Sequence, residues 1–332
     1  MALTRISGTS LTNRRNHIIN GGMMVAQRGT SFVSDSEFPN SDDAYTLDRF
    51  YILSDGNDIV DVTQTSTVPD EALKSMGLDV ETANKKFGIA QIIENENCTG
   101  LIGNTVTLSF EAKVSNASKL DNIKAAIVSW SGTADSVTSD IISAWGSEGT
   151  NPTLITNATY ENTPANLGVT TSFVKYSVTG TVDTSGTNNI VVFIWSDVTD
   201  TTAGHFLYIT NVQLEKGNSA SDFEHKSFQE ELSSCQRYYH EGQYAFMTSS
   251  TTTCIFNIDF PTTMRATPTT THEYAEGGTA NDIYNIATAA TPTFVPNGSF
   301  VDVNSYKFAY DFDAGLTADD GYQSYFYFDS EL

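Results

Sequence analysis

Regular alternation of apolar and polar side chains is the feature that most constrains how this chain can fold. Between Val106 and Val114 every second side chain is apolar, and the residues between them are polar or charged. This period of two is that of a β-strand with one buried face. Similar short runs, separated by turns rich in Gly, Asn and Thr, predict further strands at 23–26, 87–94, 123–130, 173–182, 190–195 and 206–214. Such a series predicts a two-sheet β-sandwich.

The composition agrees with an all-β protein and excludes some function classes. The length of 332 residues suits two domains and an extension. Lys and Arg total 17 against 40 Asp and Glu, a net charge of −23, which argues against binding to nucleic acid. The sequence has neither an apolar run of about eighteen residues nor a signal peptide, so we expect no membrane insertion and no secretion.

Three cysteines are present, at positions 98, 235 and 254. Their number is odd and their spacing matches no metal site, so we interpret them as reduced, packed thiols. The sequence also lacks the motifs of serine hydrolases, zinc proteases, nucleotide-binding loops and redox pairs. We therefore expect that the protein is not an enzyme and has no cofactor.

The first sixteen residues are polar and show no period, which predicts an extended arm. Arg5, Arg14 and Arg15 give this arm a positive charge in an otherwise acidic protein. One interpretation is an anchor that docks on an acidic partner, for which these arginines are the candidate contacts. The alternative is an unstructured tail, and the sequence favours neither.

A long segment at 131–168 has few clear periods, which is typical of a rim loop in a sandwich. Trp130, Trp145 and Tyr160 lie in or beside it and are our candidate ligand-binding residues, because aromatic faces stack on sugar rings. The alternative is that these side chains pack against the sandwich, as most aromatic residues in β domains do.

Clustered acidic residues raise the question of a structural calcium ion. Asp42-Asp43 and Asp55-Asn57-Asp58 offer oxygen ligands of the kind that calcium takes. Their spacing matches no EF-hand loop, and a solvated turn is the alternative interpretation.

The stretch 209–240 runs from a strand through a small-residue turn into a short helix, and it predicts a hinge between two β domains. Residues 227–230 fit a capping box at the helix start. Phe228, Leu232 and Tyr239 recur at helical spacing with Cys235 and form one apolar stripe. So short a helix must dock on something, either a flanking domain or its own copies around a threefold axis.

The last hundred residues carry many alternating aromatic side chains, among them Phe326. This is more aromatic surface than one small domain buries easily. We expect part of it, with the apolar stripe of the helix, to lie at a subunit interface. A wholly intrachain aromatic core is the alternative.

Several motifs give the chain a resemblance to a known family. They are Asn20-Gly21 with Gln27-Arg28-Gly29-Thr30, Val212-Gln213-Leu214-Glu215, Cys235-Gln236-Arg237-Tyr238-Tyr239, Phe260-Pro261, and Met264-Arg265-Ala266-Thr267-Pro268-Thr269. In these motifs the chain resembles phage tail-fibre and head-fibre proteins, whose carbohydrate-binding-module-like jelly-roll precedes a small C-terminal β domain. An Asp-Arg-Trp run of that family corresponds to Asp48-Arg49-Phe50, and we predict that Asp48 and Arg49 form an internal ion pair.

The resemblance implies an all-β protein: a virion-anchoring arm at 1–16, a jelly-roll β-sandwich at 17–225, a linking helix at 226–240, and a small C-terminal β-sandwich at 241–332 for trimerisation and receptor contact. It implies a homotrimeric virion protein, assembled in the bacterial host cytoplasm. Its partners would be other virion proteins and host-surface polysaccharide. A tail fibre or spike that attaches to glycan is the leading hypothesis. The alternatives are a head fibre or decoration protein without an essential receptor role, and a glycan depolymerase.

Overall fold

Strands account for nearly all regular structure in the chain, as the alternation predicts. The computed structural model describes residues 15–248, 253–274, 282–291, 299–311 and 316–332. By its internal contacts the chain forms two units, one ending at Lys226 and including Leu332, the other spanning Ser227–Glu331.

The described part of the first unit contains thirteen strands and one short helix. The strands are β1 Ser31–Phe32, β2 Tyr51–Ser54, β3 Val60–Thr65, β4 Ser75–Val80, β5 Phe87–Ile93, β6 Thr105–Val114, β7 Ile123–Trp130, β8 Ile142–Ala144, β9 Thr153–Leu154, β10 Ala158–Tyr160, β11 Val174–Thr181, β12 Asn189–Ser196 and β13 Phe206–Lys216, and the helix is α1 Asn95–Cys98. Of the six strands predicted from residue 87 onward, five start and end within one residue of these bounds. The sixth, β13, starts where predicted but extends two residues further.

Two antiparallel sheets make up the sandwich. One has six strands in the order β1-β3-β4-β13-β6-β11, and the other has five in the order β10-β7-β12-β5-β2. The large core lies between them and takes the inward residues of both, for example Leu108 and Phe110 of β6 and Val192 and Ile194 of β12. The predicted jelly-roll fold class is confirmed.

The outward residues of β6 are less exposed than the alternation predicts. Thr107 and Ser109 are buried, although they point away from the core between the sheets. The chain after β13 returns over them, and the Thr107 hydroxyl donates to the Gly217 carbonyl at 2.9 Å. The period of two therefore identifies the strand but not the coverage of its outer face.

The predicted strand at 23–26 is wrong, because these residues form an irregular buried segment. Asn20 organises it: its side-chain amide donates to the Val25 and Asp48 carbonyls, and its oxygen accepts from the Val25 amide. The next residue must be glycine, because a Cβ on Gly21 would lie 2.0 Å from the Val212 carbonyl oxygen. The Asn-Gly motif is thus explained by a close approach between two backbones.

The second unit contains one helix and seven strands among its described residues. They are α2 Phe228–Gln236, β14 Tyr239–Met247, β15 Thr253–Asp259, β16 Thr269–Glu273, β17 Tyr284–Asn285, β18 Ser299–Val301, β19 Ser305–Asp311 and β20 Gly321–Asp329. Strand β20 pairs with β14, β16 and β17, and a second sheet has the order β15-β19-β18. Phe246, Ile258 and Phe326 from the two sheets share one apolar core.

The capping box at the start of α2 is confirmed. The Ser227 hydroxyl accepts from the Glu230 amide, and the Glu230 carboxylate accepts from the Ser227 amide. The helix ends at Gln236, however, and not near His240 as predicted. Tyr239 begins β14 and pairs with Asp329, so pairing with a distant strand overrides the helical period there.

Candidate functional site on the jelly-roll unit

The outer face of the five-stranded sheet is as apolar as its inner face. Along β12, Val191, Phe193 and Trp195 point outward, and none is exposed to solvent by more than 1%. They belong to a second apolar cluster, here called the outer cluster. Its buried members are Tyr51, Leu53, Ala90, Ile92, Ala126, Val128, Trp130, Val137, Ile141, Val191, Phe193 and Trp195.

The segment 131–160 covers this outer cluster and brings the three predicted ligand residues together. Trp130 is 9% exposed, and its indole N–H donates to the Thr133 carbonyl at 3.0 Å. The half-buried Trp145 ring lies 6.0 Å from that of Phe193, and the Tyr160 hydroxyl donates to the Pro152 carbonyl at 2.8 Å. The packing alternative therefore describes Trp130, while ligand binding by Trp145 and Tyr160 stays a prediction.

A buried group of three charges fixes one end of this cover. The Asp197 carboxylate lies between the Lys86 and Lys124 ammonium groups, and none of the three side chains is more than 6% exposed. Asp197 also accepts from the Gly149 amide at 2.9 Å, and Lys86 donates to the Ser147 carbonyl at 3.0 Å. We call these three residues the ion triad, and it ties the loop at 145–151 to the sheet.

Sequence analysis missed the ion triad because its members lie far apart in the chain. The available signal was Lys124, the one charged residue in the mostly apolar run 123–130. A lysine in such a strand is almost never fully buried unless it is paired.

Two polar groups of the outer cluster, the Tyr51 hydroxyl and the Trp195 indole N–H, are buried and meet no hydrogen-bond partner among the described residues. Beside Tyr51, burial and the charges of Asp42 and Asp140 raise the pKa of Asp43 to about 7. Burying a donor that makes no hydrogen bond destabilises the fold, and a ligand with a matching acceptor would remove that penalty.

Among the acidic residues considered for calcium, Asp42 has protein partners, whereas Oδ1 of Asp43 is buried without a hydrogen-bond partner among the described residues. Asp42 accepts from the Ser54 amide at 2.6 Å, and the Asn57 side chain accepts from the Asp42 amide at 3.1 Å. Within the part of the chain that the structure describes, no group of three or more His, Cys, Asp or Glu side chains is placed to hold a metal ion. The described residues also contain no helix long and apolar enough to cross a membrane.

Asp48 and Arg49 tie loops to strands, but through different partners than predicted. The Asp48 carboxylate accepts from the Gln27 amide at 2.6 Å and from the Gln27 side chain at 2.5 Å. Burial raises the pKa of Asp48, and the nearby charge of Arg28 opposes that rise. Arg49 instead donates to the Ile92 carbonyl at 2.6 Å. The Gln-Arg-Gly-Thr motif is therefore part of the joint that holds Asp48.

The predicted docking arginines fall partly outside the described residues, which begin at Arg15. Arg5 and Arg14 lie in the portion not described. The backbone amide of Arg15 donates to the Glu224 carboxylate at 2.9 Å, and its guanidinium donates to the Ser221 hydroxyl at 3.0 Å. Arg15 is thus held to its own unit while its side chain stays exposed, and a docking role remains a prediction.

Arg265 of the Met-Arg-Ala-Thr-Pro-Thr motif organises the second unit. Its backbone amide donates to the Arg237 carbonyl at 2.7 Å. Its guanidinium donates to the Ser330 carbonyl at 2.7 Å and to the Glu331 carbonyl at 2.9 Å. The Ser330 amide donates in turn to the Tyr238 carbonyl at 2.8 Å. One arginine therefore joins the end of α2 to the chain after β20.

The four residues predicted to lie at a subunit interface separate into two classes. Phe228 is 53% exposed and Leu232 is half-buried, so both offer apolar surface on α2. Tyr239 is 2% exposed and Phe326 is fully buried. The interface prediction is wrong for Tyr239 and Phe326, because the β-sheet of this unit already covers them.

Cys98 and Cys235 are buried side chains, as the sequence predicts. Burial raises the pKa of the Cys98 thiol to about 12, so this thiol is not reactive at neutral pH. The side chain of Cys254 lies outside the described residues.

Two histidines, the buried His272 and the half-buried His240, should make the second unit sensitive to acid. Burial lowers the pKa of His240 and of His272 from 6.5 to about 4, with the Asp282 carboxylate opposing the fall at His272. Each therefore contributes stability that is present above about pH 6.5 and is lost as the pH falls toward 4. We expect the free energy of unfolding of this unit to fall by roughly 2 kcal/mol per histidine between pH 7 and 5.

Hydrogen exchange of peptides from β14 and β16, corrected for intrinsic rates, measures this change. The first unit is the internal comparison. Its His17 also has a pKa lowered by burial, but the pKa values of Asp43 and Asp61, raised to about 7 and about 6, oppose that loss of stability on acidification. Equal losses of protection in both units would contradict the assignment to the histidines.

Comparison with known proteins gives matches only among solved structures. Neither a protein-family model nor a curated protein matches the chain. The active domain of tailspike protein 4 of bacteriophage CBA120 is 18% identical, with a TM-score of 0.37, over 61% of this chain and 21% of that one. A family 61 carbohydrate-binding module in complex with β-1,4-galactotriose is 13% identical, with a TM-score of 0.32, over 61% of this chain and 100% of that one. A family 4 module is 14% identical, with a TM-score of 0.30, over 60% and 98%.

The match therefore spans about a fifth of the tailspike domain. At identities below 25% and TM-scores below 0.5, these likenesses assign no activity, ligand or assembly to the chain.

Proposed function

We propose that this protein is a structural component of a phage virion, a homotrimeric tail fibre or spike that attaches the particle to glycan on the host surface. In this proposal the N-terminal arm binds other virion proteins, the jelly-roll unit binds glycan, and the second unit assembles the trimer. Catalysis and a cofactor are not part of it.

The observation that carries the proposal is the use of the fibre-like motifs in both units. Gln27 and Arg28 belong to the joint around Asp48 in the jelly-roll. Arg237 and Arg265 belong to the joint that closes the second unit. The resemblance therefore rests on residues that determine how each unit folds, and such residues are a better guide to architecture than variable loops.

Exposed apolar surface on α2 supports the trimeric part of the proposal. Phe228 and Leu232 are four residues apart and share one face of the helix, and Phe228 is more than half exposed. A large apolar side chain of this kind on a short helix favours burial against another copy of the chain.

We expect the full chain to have three times its 36.1 kDa mass in light scattering at micromolar concentration. Leu232→Asp should shift it to monomer, because a carboxylate would be buried in the interface. Ser233→Asp is the matched control, since Ser233 is exposed on the same helix and should tolerate the charge. A monomeric wild-type chain, or intact trimers of the Leu232 variant, would contradict the trimer.

Attachment to glycan is tested separately by a glycan array. Specific retention of at least one class of host-surface polysaccharide is expected, and retention of none would favour the decoration-protein alternative. Release of reducing ends from the bound polysaccharide would replace the proposal with the depolymerase. Cryo-electron microscopy of the virion would show whether the protein attaches to the tail or the head.

A further inference from the structure

A second aromatic surface lies on the other sheet of the jelly-roll. Gly77 on β4, Tyr208 on β13 and Lys113 on β6 are register partners in one row across the outer face of the six-stranded sheet. Phe173, directly before β11, continues the row beside Lys113. Tyr208, Lys113 and Phe173 are half-buried, so the row is accessible, unlike the outer cluster beneath its cover.

The Lys113 ammonium group lies between two rings. It is 5.2 Å from the Phe173 ring centroid and 5.1 Å from that of Tyr208. Among the described residues no carboxylate lies within ion-pair distance of it and no acceptor bonds to it, so its three N–H donors are unused. The neighbouring carboxylate on β6, Glu111, is engaged by the Asn211 amide at 2.6 Å.

The rings beside Lys113 form a continuous platform. Phe206 stacks on Tyr208 with a centroid distance of 5.4 Å and an interplanar angle of 7°, and Phe173 lies 6.5 Å from Tyr208. Gly77 makes room for this arrangement, since a Cβ there would be only 3.3 Å from Cε1 of the Tyr208 ring. Aromatic faces of this kind pack against the apolar C–H surface of sugar rings.

An acceptor lies at the opposite side of the platform. Asp79 is the register partner of Phe206, and its Oδ1 is buried without a hydrogen-bond partner among the described residues. The order along the sheet is thus a cation with unused donors, then aromatic faces, then an unused acceptor. A sugar ring that carries a carboxylate and free hydroxyls has the complementary order.

We propose that the surface formed by this row and the adjacent Phe206–Asp79 pair is the glycan-binding site of the protein and that it selects a uronic-acid sugar. Its residues are Phe173, Lys113, Tyr208, Phe206 and Asp79. The uronate carboxylate accepts from Lys113, the pyranose ring stacks on Tyr208 and Phe206, and a hydroxyl donates to the half-buried carboxylate of Asp79. The Lys113 ammonium group carries the choice of ligand, because it lies between two rings with no carboxylate partner among the described residues, and a uronate would supply that partner. The inference rests on the proposed attachment to glycan and names its sugar class.

Calorimetric titration of the full chain with trigalacturonate, and with galactotriose as the neutral probe, tests the inference at about 0.15 M salt. Lys113→Met keeps the aliphatic stem and removes the charge, and it should weaken trigalacturonate binding about tenfold or more. Lys113→Arg should retain binding within a few fold. Lys119→Met is the matched control, because it removes the same charge from an exposed ion pair with Asp200.

We further expect Tyr208→Ala to weaken binding of both probes, and galactotriose to bind the wild type at least about tenfold more weakly than trigalacturonate. Equal affinity of the wild type and Lys113→Met for trigalacturonate would place the site elsewhere and overturn the inference. Retention of neutral glycans alone would overturn the sugar class while leaving glycan attachment intact. Retention of no glycan on the array would remove the proposed function and the inference together.

Discussion

Replacing Asp197 with Asn is expected to lower the free energy of unfolding of the jelly-roll unit by about 3–5 kcal/mol. The Asp197 carboxylate is fully buried between Lys86 and Lys124, which are 2% and 6% exposed. The amide keeps the shape of the side chain but removes its charge, so two like charges remain buried without compensation. The loss is large because each lysine is desolvated on folding, and the neutral acceptors that it also meets do not balance its charge as this carboxylate does.

Tryptophan fluorescence during urea denaturation isolates this unit, because Trp130, Trp145 and Trp195 are the three tryptophans of the chain and all precede Lys226. The midpoint should shift to lower urea with little change in slope. Asp200→Asn is the matched control: its pair with Lys119 is exposed, and its loss should cost less than about 1 kcal/mol. Similar effects of the two substitutions would show that the ion triad contributes no more than a surface pair.

The Asp197→Asn substitution should also loosen the segment 131–160, which covers the outer cluster. Trp145 and the loop at 145–151 are tied to the sheet through Lys86 and Asp197. In Asp197→Asn, relative to the wild type, amide hydrogen exchange should therefore accelerate more in the segment 131–160 than in strands β6 and β12. In the glycan titration the same variant should behave as the wild type, because the platform around Lys113 lies on the opposite sheet.

Local pattern was sufficient for the strands but not for what covers them. The alternation in 104–114 and the apolar run at 190–195 located β6 and β12, because strand period is a property of adjacent residues. The same run could not indicate what buries Phe193 and Trp195, since their cover comes from a segment of weak period. The ion triad joins Lys124 of β7 to Lys86, directly before β5, and to Asp197, directly after β12. No rule based on neighbouring residues predicts that these three side chains meet.

The candidate ligand residues illustrate the same limit. Trp130, Trp145 and Tyr160 were selected by residue type, and type alone does not distinguish a sugar platform from packing. The row around Lys113 was missed because Lys113 occurs as an ordinary polar residue in the alternation of β6. Its neighbours Tyr208 and Phe173 come from other strands and become visible only with the register.

Phe326→Ala is expected to lower the free energy of unfolding of the second unit by about 3–5 kcal/mol. Phe326 is fully buried in β20, and its ring lies 5.4 Å from His272, 6.1 Å from Tyr244 and 6.2 Å from Phe328. Removing the ring leaves a cavity among aromatic neighbours that cannot collapse easily. Hydrogen exchange of β14, β16 and β20 measures the loss, while tryptophan fluorescence of the first unit should stay unchanged.

Phe228→Ala separates a core role from an interface role. Phe228 is 53% exposed on α2, so its truncation should change the unfolding free energy of the isolated chain by no more than about 0.5 kcal/mol. It should instead raise the concentration at which the trimer dissociates, because it removes apolar area from the proposed interface. The two phenylalanines should thus give opposite patterns: Phe326→Ala destabilises the unit at every protein concentration, and Phe228→Ala acts through assembly. If Phe326→Ala dissociated the trimer without reducing protection in β20, the ring would be an interface residue and the assignment to the core would be wrong.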